Sequence, residues 1–145
     1  AVSRRLGGAA HILNGKISFI DTQRGAFFTA GNLDSLQKTG GGLFQQIMIV
    51  QDGKAARFKD TALFQRRAIV HFTNGNTAII ENNKPVRLAD FSNDLVALGV
   101  KEALYTDMGS WDEGWYKDPK NCKLVVIGQI RSQTARQSNW FVFRK

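Results

Sequence analysis

Three dipeptides constrain this chain more than anything else in it. Asn14-Gly15, Asp52-Gly53 and Asn74-Gly75 each stand between short apolar runs. An Asn-Gly or Asp-Gly pair tolerates the left-handed backbone of a tight turn, and such a turn matches the twist of two antiparallel strands. The spacing predicts three hairpins: residues 11–13 with 16–20, residues 44–50 with 54–58, and residues 67–72 with 77–80. The first half of the chain is therefore expected to be strand-rich and largely antiparallel. Gly40-Gly41-Gly42 breaks the chain before the second pair and suits a loop or a close backbone approach.

One helical signal follows. Leu88, Phe91, Leu95 and Leu98 recur at helical spacing, so residues 88–98 are expected to lay one apolar stripe on the sheet, with Gly99 as the stop. Val100 leads into an apolar strand at 103–106. Further strands are expected at 123–129 and 140–143, with Pro119 and Asn121 marking the loop before the first of them. The 145 residues, 43% of them hydrophobic, suffice for one core. The expectation is an α+β fold: a single domain over 1–145, with a twisted mixed, mostly antiparallel sheet and few helices.

Composition removes several classes of chemistry. The single cysteine, Cys122, excludes an internal disulfide framework, and with two histidines it excludes cysteine-based metal sites. Cys122 precedes an apolar strand and is expected to be a packed thiol. No G-x-S-x-G, phosphate-binding P-loop or G-x-G-x-x-G pattern occurs, so no cofactor and no metal are expected. No apolar run approaches the roughly 20 residues of a membrane helix. Residues 1–5 carry no hydrophobic signal region, so an exported protein would here be in processed form. A net charge of +8 favours anionic partners. The basic residues are scattered from Arg4 to Lys145 without a block or basic helix, which argues against nucleic acid and leaves anionic glycans.

The candidate site residues cluster where apolar runs end. "YTDMGSWDEGWYKD" turns from a strand straight into Asp107, Gly109 and Ser110. Asp107 suits either a turn cap or a reacting carboxylate. Gly109 would let Ser110 approach a ligand closely. Trp111 and Trp115 lie in a polar stretch, where flat rings either stack on a sugar or cover a small core. Arg66-Arg67 opens the run "RRAIVHF"; one guanidinium there could clamp an oxyanion with paired hydrogen bonds, or both could be solvated edge charge. Strand alternation sends Arg67, Ile69 and His71 to one face and Arg66, Ala68 and Val70 to the other. A clamp of this kind serves binding, so Arg66→Lys is expected to leave the melting temperature nearly unchanged.

These segments together resemble a known family. "MIVQDGK", then "QRRAIVHFTNGNTAII", then "RLADFSNDLVALGVKEALYTDMGSW" is similar in order and spacing to the phosphodiester glycosidase family. That family has an "N-P-R-T-A-I-G" strand, a short helix and then "L-G-V-x-x-A-L-x-L-D-G-G-G-S". The likeness runs from about Phe44 to Trp115. It implies that Arg66 matches a phosphate-binding arginine and Asp107 an essential acid. Arg67, Gly109, Ser110, Trp111 and Trp115 would then contact substrate. Met108 replaces the first glycine of the acidic motif, and Arg67 replaces the threonine that follows the arginine in the first motif. The family's "N-G-G-F-F" has its nearest counterparts in "RLGGAAH" (5–11) and "RGAFF" (24–28), both without the asparagine. The chain either lacks the family's N-terminal part or departs from the family there.

The resemblance implies a hydrolase acting on a sugar phosphodiester or exopolysaccharide-type glycan, in a secreted, periplasmic or cell-surface setting. Two other classes stand beside it: a non-catalytic glycan-binding protein of the same fold, and a basic nucleic-acid-binding domain.

Overall fold

The computed structural model describes residues 6–106, 112–128, 134–136 and 142. The fold is α+β, and every strand pair among these residues is antiparallel. The chain divides into two compact units, Ala1–Asp107 and Met108–Lys145.

The first unit opens with β1 (Gly8–Leu13) and β2 (Lys16–Asp21), joined at Asn14-Gly15. Asn14 and Gly15 have φ of 50° and 73°, the left-handed values the dipeptide was expected to supply. After a short 3₁₀ turn comes α1 (Ala30–Thr39), then β3 (Gly42–Gln46), which pairs with the other edge of β1. The second sheet is built from β4 (Met48–Gln51), β5 (Lys54–Ala55), β6 (Arg67–Phe72), β7 (Thr77–Glu81) and β8 (Val100–Thr106), with α2 (Leu88–Ala97) between the last two. Its spatial order is β5-β4-β8-β6-β7.

Two expectations of pairing need correction. The run 44–50 is not one strand: it splits at Ile47, with β3 joining β1 and β4 joining β5 and β8. Ile47 accepts from the Tyr105 amide over 2.9 Å as the chain passes from one sheet to the other. The strand expected over 54–58 is only Lys54–Ala55. The Asp52-Gly53 turn itself is as expected, with φ of 48° and 71°. The Asn74-Gly75 hairpin forms as well, through a longer loop in which Gly75 alone takes a left-handed φ, of 84°.

Alternation sorts the larger sheet into two covered faces. Val50, Ala68, Val70, Ala103 and Tyr105 pack with Leu88, Phe91 and Leu95 of α2 in one buried cluster. Leu98, expected in the same stripe, instead caps the helix and is 61% exposed, because the helical rotation ends at Ala97. On the other face Ile69 and Leu104 are direct cross-strand partners and fully buried. The β1 sheet lies against them: a side chain at Gly8 would come within 2.6 Å of the Leu104 methyl. Phe19 stacks on His71 at 4.5 Å between ring centroids.

Gly41 resolves the role of the triple glycine. Its φ is 88°, and a Cβ there would collide with the Ile12 carbonyl oxygen, so the loop is pressed against β1. His11 Nε2 donates to the Gly40 carbonyl across the same contact, over 2.8 Å. Helix α1 was not expected. It buries no residue, so it has no apolar stripe; Thr29 caps it by accepting from the Asn32 amide, and Gly40 ends it.

In the second unit, β9 (Gly114–Lys117) and β10 (Leu124–Ile127) form a hairpin. The strand expected over 123–129 is thus shorter, and it is not buried: Leu124 is 64% exposed. Cys122 corrects a second expectation. It is an exposed thiol in the hairpin loop, at a left-handed φ of 59°, with its amide bonded to the Asp118 carbonyl. Of the strand expected at 140–143, all but Val142 lies outside the described residues. Among the described residues no helix is long and apolar enough to cross a membrane.

Candidate active site

Strand register brings the two distant motifs together. Residues of β6 and β8 pair directly, with Arg67 opposite Thr106, Ala68 opposite Tyr105 and Ile69 opposite Leu104. Residues 67–72 and 100–106 therefore run side by side, and the start of the first meets the end of the second at one end of the sheet. Alternation divides the two arginines between faces, as expected from the sequence.

Arg66 takes the α2 face and is only 5% exposed. Its backbone extends the β6–β7 ladder: the Arg66 amide donates to Asn82 Oδ1 at 2.5 Å, and its carbonyl accepts from the Asn82 amide at 3.2 Å. Every guanidinium nitrogen has a protein partner. Nε donates to the Val86 carbonyl at 3.3 Å, one terminal nitrogen to the Tyr105 hydroxyl at 3.2 Å, and the other to the Ala62 carbonyl at 2.9 Å. Asp60 adds an ion pair at 3.5 Å. The guanidinium carbon lies 5.0 Å from the centre of the Phe64 ring and 5.8 Å from that of Tyr105. An anion taking up this guanidinium would compete with Ala62 and Tyr105 for its donors.

Arg67 takes the opposite face and pairs with Glu81, its direct partner on β7. Its Nε donates to Glu81 Oε2 at 2.7 Å. Neither arginine is solvated edge charge. Two buried polar atoms have no hydrogen-bond partner among the described residues, Thr106 Oγ1 and Gln65 Nε2. Thr106 faces Arg67 across the ladder.

Trp115 lies in β9 of the second unit and is 50% exposed. Asp107, Gly109, Ser110 and Trp111 lie outside the described residues. The histidines serve the scaffold. His11 closes the glycine loop onto β1, while His71, stacked on Phe19, stands 3.5 Å from Glu102. Among the described residues no group of three His, Cys, Asp or Glu side chains could hold a metal ion.

Two residues near this end escaped sequence reasoning. Asp60 and Phe64 sit on the segment that leads into β6, and their only signal was proximity to Arg66 in the chain. Asp112, 1% exposed in the second unit, was also missed, although it lies within the quoted Asp107 stretch. Gly128 fits flush against it: a Cβ there would strike the Asp112 carbonyl.

No family model matches the chain, and no curated protein matches it either.

Proposed function

We propose that this chain is a phosphodiester glycosidase-like hydrolase domain acting on a sugar phosphodiester or an exopolysaccharide-type glycan. The observation that carries this reading is the β6–β8 register. The two sequence motifs that resemble the family are neighbouring strands, and Arg67 stands opposite the residue that precedes Asp107 in the chain. In this reading water attacks the anomeric carbon and the bond from that carbon to the phosphoryl oxygen breaks. Asp107 moves the proton as general acid or base. Arg66 offsets the phosphate charge, exchanging a protein acceptor for a phosphoryl oxygen. Of the substrate contacts that the resemblance implies, the first unit supplies Arg67. The net charge of +8 suits an anionic glycan, and the setting is periplasmic, secreted or at the cell surface.

The test is hydrolysis of sugar 1-phosphodiesters whose second ester is nitrophenyl. Wild type is expected to release the free sugar and nitrophenyl phosphate. Asp107→Asn should lower the rate by a factor of roughly 100 to 10,000 while keeping the melting temperature. Binding of sugar phosphate without turnover by wild type would overturn the hydrolase and leave the glycan-binding module. Binding of an oligonucleotide that weakens steeply with salt would favour the nucleic-acid reading instead.

A further inference from the structure

We infer that residues 60–64 form a sugar-binding subsite, made of the Phe64 ring and the Asp60 carboxylate and fixed from below by Arg66. The inference deepens the proposed function and rests on its reading of the ligand as a sugar.

Phe64 is 51% exposed, and its neighbour Leu63 is 59% exposed. Single exposed apolar residues are ordinary on a protein surface. This ring differs in being held. The Phe64 amide donates to the Val86 carbonyl at 3.2 Å, and the Phe64 carbonyl accepts from the Val86 amide at 2.9 Å. The Arg66 guanidinium lies against the ring. A ring fixed before binding loses little entropy when a ligand stacks on it. The C–H face of a hexopyranose is the ligand surface that suits such a platform.

A sugar also needs acceptors for its hydroxyls, and Asp60 supplies them. Its side chain is 49% exposed. One carboxylate oxygen accepts from the Ala62 amide at 2.9 Å, and the other stands 3.5 Å from Arg66. Each oxygen keeps further acceptor capacity towards solvent. The same guanidinium thus anchors both the ring and the carboxylate. Its donors to Ala62, Val86 and Tyr105 fix it in place beneath both. A carboxylate beside the ring favours hydroxyl groups over a phosphate at this spot. The subsite therefore takes the neutral ring of the substrate.

The test uses the whole chain with methyl glucopyranoside, glucose 1-phosphate and N-acetylglucosamine 1-phosphate as probes. Saturation-transfer NMR on wild type should show contact between probe protons and the Phe64 ring. In calorimetry Phe64→Ala should weaken binding about 3- to 10-fold, the range expected for one stacked ring. Phe64→Tyr should restore it, and Asp60→Asn should weaken the neutral glucoside more than the phosphates. On the nitrophenyl phosphodiester Phe64→Ala should raise KM and spare kcat. Equal affinity of wild type and Phe64→Ala would overturn the subsite. So would the absence of NMR contact at Phe64, whether or not the variant folds, or failure of wild type to bind any probe. Binding that depends on Phe64 without any turnover would leave the subsite standing and remove the hydrolase.

Discussion

Arg66 and Tyr105 are joined across the sheet: a guanidinium N–H donates to the tyrosine hydroxyl over 3.2 Å, and both side chains are almost wholly buried. This contact ties the segment before β6 to the end of β8, the two pieces of chain on which the proposed function depends. The Arg66 guanidinium is therefore a structural brace, whatever else it binds.

The first prediction follows from that brace and reverses the expectation from sequence. Arg66→Lys keeps a charge but cannot reach Val86, Ala62 and Tyr105 together. It leaves buried acceptors unmade, at a cost of about 1.5–3 kcal/mol. The melting temperature should fall clearly. A thermal scan that superimposes on wild type would show that the guanidinium contributes nothing to the fold.

Leu95 and Leu98 make a paired prediction on one helix. Leu95 is fully buried, whereas Leu98 is 61% exposed. Leu95→Ala should cost about 2–5 kcal/mol in chemical denaturation. Leu98→Ala should stay within about 0.5 kcal/mol of wild type. Similar losses at both positions would mean that α2 carries its stripe past Ala97.

How much of this was legible in the sequence depends on the range of the forces involved. The first two hairpins could be read because Asn14-Gly15 and Asp52-Gly53 determine their turns locally. The division of 44–50 at Ile47 could not, since the choice of sheet is made by β1 and β8, which are remote in the chain. Helix α1 left only its caps, Thr29 and Gly40, because it buries nothing and needs no apolar period. Leu98 fitted the period, yet the helix stops one residue before it. The separation of Arg66 and Arg67 onto opposite faces followed from strand alternation alone. The environment of Arg66 did not, because Ala62, Val86 and Tyr105 come from three separate segments. Cys122 was misread because an apolar strand follows it. That strand is a two-stranded ribbon with exposed side chains.

Gly41 carries a third prediction. A side chain there would collide with the Ile12 carbonyl at a backbone φ of 88°. Gly41→Ala should destabilise by more than about 1 kcal/mol, the usual scale for forcing a residue into a strained left-handed region. Gly31 in α1 is the control, with nothing within 4 Å of its missing Cβ. Gly31→Ala should be neutral or stabilising by up to about 1 kcal/mol. If both glycines tolerate alanine equally in urea titrations, the loop is not pressed onto β1.

The last prediction concerns Thr106, the final residue of β8. Its hydroxyl is buried and unpartnered among the described residues, beside the Arg67–Glu81 pair. A buried hydroxyl without a partner carries a desolvation penalty of about 1–3 kcal/mol. Valine has nearly the same shape and is at home in a strand. Thr106→Val should therefore leave stability unchanged or raise it by about 1 kcal/mol, an unusual result for a buried substitution. If the hydroxyl serves a ligand, the same variant should bind sugar phosphate more weakly despite its intact fold. Stability and affinity would then move in opposite directions. A loss of more than about 1 kcal/mol in urea titrations would show instead that the hydroxyl is satisfied within the folded chain, and that its place beside Arg67 is structural.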